Sequence, residues 1–161
     1  MIVVMMHAVK QLVAVLLVVS APLTAAAQSA GRAKPAAGAA VEGKVYLTPT
    51  CGCCGKWVEH MAADGFKLSR ELTSDMNTVA AHTKVPQPLR SCHTAVIGPY
   101  IIEGHVPADL VRKLLKEQPK IAGLSAPNMP AGSPGMDVPN SPPYSIVAFR
   151  ADGTTYEYAK R

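Results

Sequence analysis

Aromatic residues are scarce in this chain, 5% of 161 residues with one tryptophan and two phenylalanines, so no interleaved set of flat rings is on offer for stacking nucleic-acid bases. Nor is there a dense run of one charge. The 16 lysines and arginines stand against 11 acidic residues and are scattered as on a solvated surface, which leaves nucleic-acid binding without support. A membrane-spanning run is also missing. The apolar stretch Leu12–Val19 falls far short of the roughly 20 residues a spanning helix needs.

What that stretch does fit is a targeting segment. One lysine, Lys10, precedes it, Pro22 ends it, and the small residues Ala25, Ala26 and Ala27 follow, the pattern of a signal peptide cut after Ala27. An uncleaved anchor is the alternative reading. Residues 1–27 are therefore expected to direct export and to leave no stable membrane span after cleavage. Loss of Lys10 lowers the formal charge from +5 to +4. Residues 28–43 are rich in alanine, glycine and proline without apolar periodicity and read as a flexible tether, leaving 44–161 as one folded domain.

Within that domain, Lys44–Leu47 reads as a strand, and Trp57, Val58, Met61 and Ala62 recur at helical spacing from Lys56 to a stop at Gly65. Phe66–Leu72 alternates like a strand, and Ser74 or Asp75 can cap a short helix running to Thr83. Thr94–Ile97 and Tyr100–Glu103 flank Gly98-Pro99 as adjacent strands, and Leu110, Val111, Leu114 and Leu115 mark an amphipathic helix after Pro107. A proline-rich stretch follows, and Tyr144–Tyr158 signals a C-terminal β-hairpin around Asp152-Gly153. This order predicts an α/β sandwich with a mixed sheet and flanking helices.

Three of the chain's four cysteines crowd into Cys51-Gly52-Cys53-Cys54-Gly55. Cys51 and Cys54 form a C-x-x-C pair at a strand-to-helix junction, where the helix N-terminus favours a reactive thiolate, a thioredoxin-like signal that also suits zinc and structural bridges. Cys53 alters the reading. Adjacent side chains seldom point at one spot without strain, so Cys53 and Cys54 more easily serve two ions, and Cys92 supplies a fourth sulfur if its loop approaches. Gly52 and Gly55 are expected to leave room for a close approach of backbone to ligand. Soft thiolates select copper(I), zinc or iron–sulfur chemistry. Four thiolates around one copper(I) would carry a net charge of about −3, whereas several ions on bridging sulfurs approach neutrality and cost less to shelter from water. A closed tetrahedral zinc site is the main competitor. In an oxidising compartment two disulfides without metal remain open, as do inert thiols.

Further donors stand nearby. His93 beside Cys92 is the preferred imidazole, while His60, His82 and His105 read as surface or hydrogen-bonded histidines. Met129 and Met136 lie in the proline-rich stretch, where packing is the plain reading and a soft-metal contact the functional one. Met136 is taken with the candidate metal set of Cys51, Cys53, Cys54, Cys92 and His93.

Thr48-Pro49-Thr50-Cys51-Gly52-Cys53-Cys54-Gly55-Lys56-Trp57, Leu89-Arg90-Ser91-Cys92-His93-Thr94, Glu103-Gly104-His105-Val106-Pro107 and Gly132-Ser133-Pro134-Gly135-Met136 resemble the small exported CopG-type copper-resistance proteins. The resemblance runs from about Lys44 to the end of the chain. It implies a thioredoxin-like fold, a periplasmic location, and copper(I) held as a multinuclear cluster by Cys51, Cys53, Cys54 and Cys92. Redox activity toward copper and contact with other periplasmic copper-handling proteins are implied too. The chain departs from thioredoxins in lacking a tryptophan before Cys51 and in having Ser91-Cys92-His93 where a proline usually precedes the facing strand. A thiol–disulfide oxidoreductase acting through Cys51 and Cys54 is the alternative.

Overall fold

Alternating apolar residues pair strands into a mixed sheet, and the computed structural model describes it over residues 40–161. The expected signal peptide and residues 28–39 of the expected tether lie outside the described residues. The elements are β1 (Val41–Leu47), α1 (Gly52–Ala63), β2 (Phe66–Leu72), α2 (Met76–His82), β3 (His93–Ile97), β4 (Tyr100–Gly104), α3 (Ala108–Glu117), β5 (Gly123–Ala126), β6 (Ser145–Phe149) and β7 (Thr155–Lys160). A single 3-10 turn at Gln87–Leu89 occupies the expected Pro86–Pro88 bend. Among the described residues no helix is long and apolar enough to cross a membrane.

The sheet has seven strands in the order β2-β1-β3-β4-β5-β6-β7. β1 runs parallel to β2 and antiparallel to β3, β3 antiparallel to β4, and β4 parallel to β5. The hairpin of β6 and β7 closes the far edge, with an irregularity at Ile146/Val147. The α/β class, mixed sheet, flanking helices and C-terminal hairpin thus agree with the sequence pattern. Period-two alternation sends Val45, Leu47, Ala95, Ile97, Ile102, Ile146 and Ala148 to one face, where they meet the buried stripes of α1 and α3. Ile101, Val147 and Phe149 go to the other face, with Ala80 of α2, Val85 and Leu89.

Three boundaries differ from expectation. β1 begins at Val41, three residues before Lys44, because β2 pairs with it from Val41↔Phe66 onward. α1 begins at Gly52 rather than Lys56, so the cysteine cluster is itself the first turn of the helix. β5 lies inside the stretch read as proline-rich. Its first residue, Gly123, sits so close to β4 that an added Cβ would lie 1.9 Å from the Ile101 carbonyl oxygen, so only glycine lets the two strands meet there.

Candidate metal centre

The buried stripe of α1 is Cys54, Trp57, Val58 and Met61, the i, i+3, i+4, i+7 series of one helical face. Cys54 is therefore buried because it belongs to the core stripe, and Cys51, one turn earlier at the N-cap, lies on the same side. Cys53 is displaced around the helix and stays partly exposed. Cys51 and Cys54 are joined as a disulfide, while Cys53 and Cys92 are free.

Topology brings Cys92 to this turn. Because β3 runs antiparallel to β1, with Leu47 opposite His93, the start of β3 lies beside the end of β1 that feeds α1. Cys92 Sγ stands 3.3 Å from Cys51 Sγ and 3.3 Å from Cys54 Sγ, and Cys51 Sγ is 3.5 Å from Cys53 Sγ. All four sulfurs lie within 4.8 Å of one another. Burial pushes the Cys92 thiol above its ordinary range, and charge repulsion from Cys53 pushes the same way, so an ion that binds this sulfur displaces a proton to do so.

The same end of the central strands delivers further donors. Antiparallel pairing puts the end of β4 beside the start of β3, and parallel pairing of Gly104 with Ala126 puts the end of β5 there too. His105 follows β4 and Met129 follows β5. The Met129 Sδ lies 3.1 Å from Cys92 Sγ. His93 and His105 are both fully buried, with ring centroids 5.2 Å apart, and His93 rests 4.4 Å from the Trp57 ring. One ligand atom each from Cys54, Cys92, His93 and His105 falls within 4.8 Å of the others. The carbonyls of Gly104 and Pro134 lie toward the His93 and His105 rings, yet no ring nitrogen of either has a partner with hydrogen-bond geometry. Burial and the neighbouring His105 drive His93 down to about 3, and burial lowers His105 as well. Both rings are thus neutral, with lone pairs available to a metal. Each unpaired buried polar atom costs about 1–3 kcal/mol, which a bound ion would offset.

His60 and His82 fall elsewhere. His60 Nε2 accepts the Ala108 N–H at 3.1 Å and so pins α1 to the start of α3, and His82 is exposed in the last turn of α2. Met136 lies in a turn, its N–H donating to the Ser133 carbonyl at 3.0 Å, and the thioether against Cys92 is that of Met129. Gly52 and Gly55 have no protein atom within 4 Å of an added Cβ, so packing does not require glycine at either position. Gly135 is a glycine that packing does require. At φ +89° it lays its loop on α1 so closely that a Cβ would meet the Cys53 carbonyl oxygen at 2.7 Å and the Trp57 nitrogen at 2.9 Å. The tryptophan is held by donating Nε1–H to the Val106 carbonyl at 2.9 Å.

On the sheet face opposite α1, Glu103 is buried beneath the Cys92 segment. Its carboxylate oxygens accept the Ser91 N–H at 2.5 Å and the Thr94 hydroxyl at 2.6 Å. Burial raises Glu103 to about 7 against the opposing pull of those bonds and of Arg90.

Comparison with known proteins places this arrangement in context. The family model described as a protein of unknown function, DUF411, matches residues 89–136, the segment from the approach to Cys92 through Met136. Two solved structures of copper resistance protein CopG, form 2 and form 1, are similar to this chain at 36% identity and a TM-score of 0.71, covering 75% of this chain and 98% and 97% of theirs. No curated protein matches the chain.

Proposed function

This chain belongs to the CopG family of copper resistance proteins, and from that premise we propose that its reduced form holds several copper(I) ions on bridging thiolates of Cys51, Cys53, Cys54 and Cys92. The observation that carries this reading is the meeting of four sulfurs, three from the first turn of α1 and one from the segment entering β3, within 4.8 Å of one another. Such a donor set fits soft monovalent copper. Sharing each thiolate between ions keeps the buried charge low, which a single ion among four thiolates does not.

The Cys51–Cys54 disulfide is the oxidised partner of that state. Two copper(II) ions reaching the reduced site would each take one electron from the Cys51–Cys54 pair. Two copper(I) ions and one S–S bond form, and two thiol protons leave to solvent. The protein would thereby contribute to copper resistance by sequestration and by changing the oxidation state of the metal, in the periplasm after removal of residues 1–27, within reach of other copper-handling proteins.

Copper(I) titration of the fully reduced protein under anaerobic conditions, followed by metal counting and X-ray absorption, tests the cluster. More than one copper per chain with a short copper–copper distance is expected. One zinc per chain with no retained copper would overturn it.

One observation favours a second reading. Cys51 is partly exposed while its disulfide partner Cys54 is fully buried, the asymmetry of an attacking and a resolving thiol in a thiol–disulfide oxidoreductase. Reduction of insulin by the metal-free dithiol protein would support it, and absence of turnover would remove it.

A further inference from the structure

Closing the Cys51–Cys54 disulfide takes two thiolates away from the α1 side of the centre, yet it leaves another group of donors intact. Cys92, His93, His105 and Met129 are carried at the start of β3 and beyond the ends of β4 and β5, three neighbouring strands. None of them belongs to α1. The ligand atoms of Cys92, His93 and His105 lie within 4.8 Å of one another, and the Met129 Sδ is 3.1 Å from Cys92 Sγ.

Two independent features point to a ligand at this spot. The first is the pair of fully buried imidazoles, none of whose ring nitrogens has a partner of hydrogen-bond geometry although the Gly104 and Pro134 carbonyls lie toward the rings, a condition rare enough in folded proteins to demand an explanation. The second is backbone conformation. Asn128 and Met129 are consecutive non-glycine residues at φ +61° and +46°, a conformation that persists only where its surroundings impose it and that gathers at functional sites. Here it delivers the methionine sulfur to Cys92.

We propose that in the disulfide form these four residues make a mononuclear copper site, with two imidazoles and one thiolate as principal ligands and the Met129 thioether as a weak fourth. Two histidines, one cysteine and a distant methionine are the set that accommodates copper in both of its common oxidation states. The all-sulfur cluster and this mixed site would then be alternative occupancies of one centre, selected by the state of the Cys51–Cys54 pair. The inference rests on the preceding reading for the metal, and on the strand-borne residues for the ligands.

The test uses the chain with its Cys51–Cys54 disulfide intact, verified by mass, and with Cys53→Ser to remove the competing thiol. Copper(II) alone is titrated in. One copper(II) per chain is expected, with an intense visible thiolate-to-copper(II) charge-transfer band and a narrowed copper hyperfine splitting in electron paramagnetic resonance. His105→Gln should weaken copper(II) binding by at least about tenfold and abolish the band. Met129→Leu, on a partly exposed loop, keeps the fold if the buried ring cannot be replaced; it should retain the stoichiometry while shifting the band and raising the reduction potential. Copper(II) bound without the charge-transfer band, reduction accompanied by Cys92-linked dimers, or spectra unchanged in His105→Gln or Met129→Leu would each overturn the proposal. Loss of multinuclear copper(I) binding by the reduced wild-type protein would instead sink the cluster reading and leave this spectrum in place.

Discussion

The helix side and the sheet side of the candidate metal centre offer donors of different character. Cys51, Cys53 and Cys54 come from one turn at the start of α1, two of them partly exposed and two able to close as a disulfide. Cys92, His93 and His105 are mounted at the ends of paired strands, with the two histidines fully buried. A redox event can therefore rewrite the first set and leave the second where it is. Cys92 belongs to both, since its sulfur touches Cys51 and Cys54 on one side and Met129 on the other. The difference teaches that closing the disulfide changes the free thiols of the helix side alone and leaves Cys92 and the two histidines as donors.

The strongest way to break that comparison is to remove the shared atom. Cys92→Ser is expected to lose most bound copper in both the dithiol and the disulfide states, while the Cys51–Cys54 disulfide still forms; metal analysis and thiol counting read this out. Equal copper content in the variant would show that the two sides do not converge on one sulfur. Cys53→Ser should be selective. It lowers the copper(I) count of the reduced protein and leaves the disulfide form's single copper(II) unaffected, so a parallel loss in both states would erase the distinction between the two sets.

The contact between the two sides can be strained without touching a ligand. Gly135 presses the loop before Met136 onto the first turns of α1, and a methyl group there would meet backbone atoms that cannot swing aside. Left-handed backbone for a non-glycine residue and the overlap together should cost about 3–4 kcal/mol in Gly135→Ala, measurable as a lowered urea midpoint. If the variant keeps wild-type stability, the loop is not what clamps the helix side to the sheet.

Much of this was legible from residues alone, and what was hidden has definable causes. The helical stripe of α1 carries Cys54 at the head of Trp57, Val58 and Met61, so one pattern predicts both the helix and the burial of a thiol. The antiparallel pair β3 and β4 follows from Gly98-Pro99 between two apolar runs. β5 escaped because Gly123-Leu124-Ser125-Ala126 is buried at all four positions and shows no alternation, and because its glycine answers to the Ile101 carbonyl, a constraint set by a distant strand. His105 looked like any surface histidine, since its burial is created by strand ends and loops that meet only in three dimensions. The approach of Met129 to Cys92 depends on the path of the loop after β5, for which residue spacing holds no code.

A subtler test concerns how the sheet side is kept in place. Glu103 anchors the segment leading to Cys92 through the Ser91 N–H, and burial raises its carboxyl from 4.5 to about 7. Between those values the unfolded chain has released the proton while the folded protein still holds it. The folded state therefore binds more protons there, and stability falls as pH rises across the window. His93 acts oppositely. Lowered from 6.5 to about 3, it stays neutral in the fold where the unfolded chain is protonated, so its contribution falls as pH drops through that range. In metal-free, disulfide-intact protein the two slopes offset each other where they overlap. Glu103→Gln should remove the first, on the order of 2–3 kcal/mol by pH 7 relative to pH 4.5, and expose a steeper loss on the acid side. Urea midpoints measured across pH 4 to 8 decide it: parallel curves for variant and wild type would mean that the carboxyl beneath Cys92 is ionised throughout, and that the sheet side is held by charge rather than by a protonated anchor.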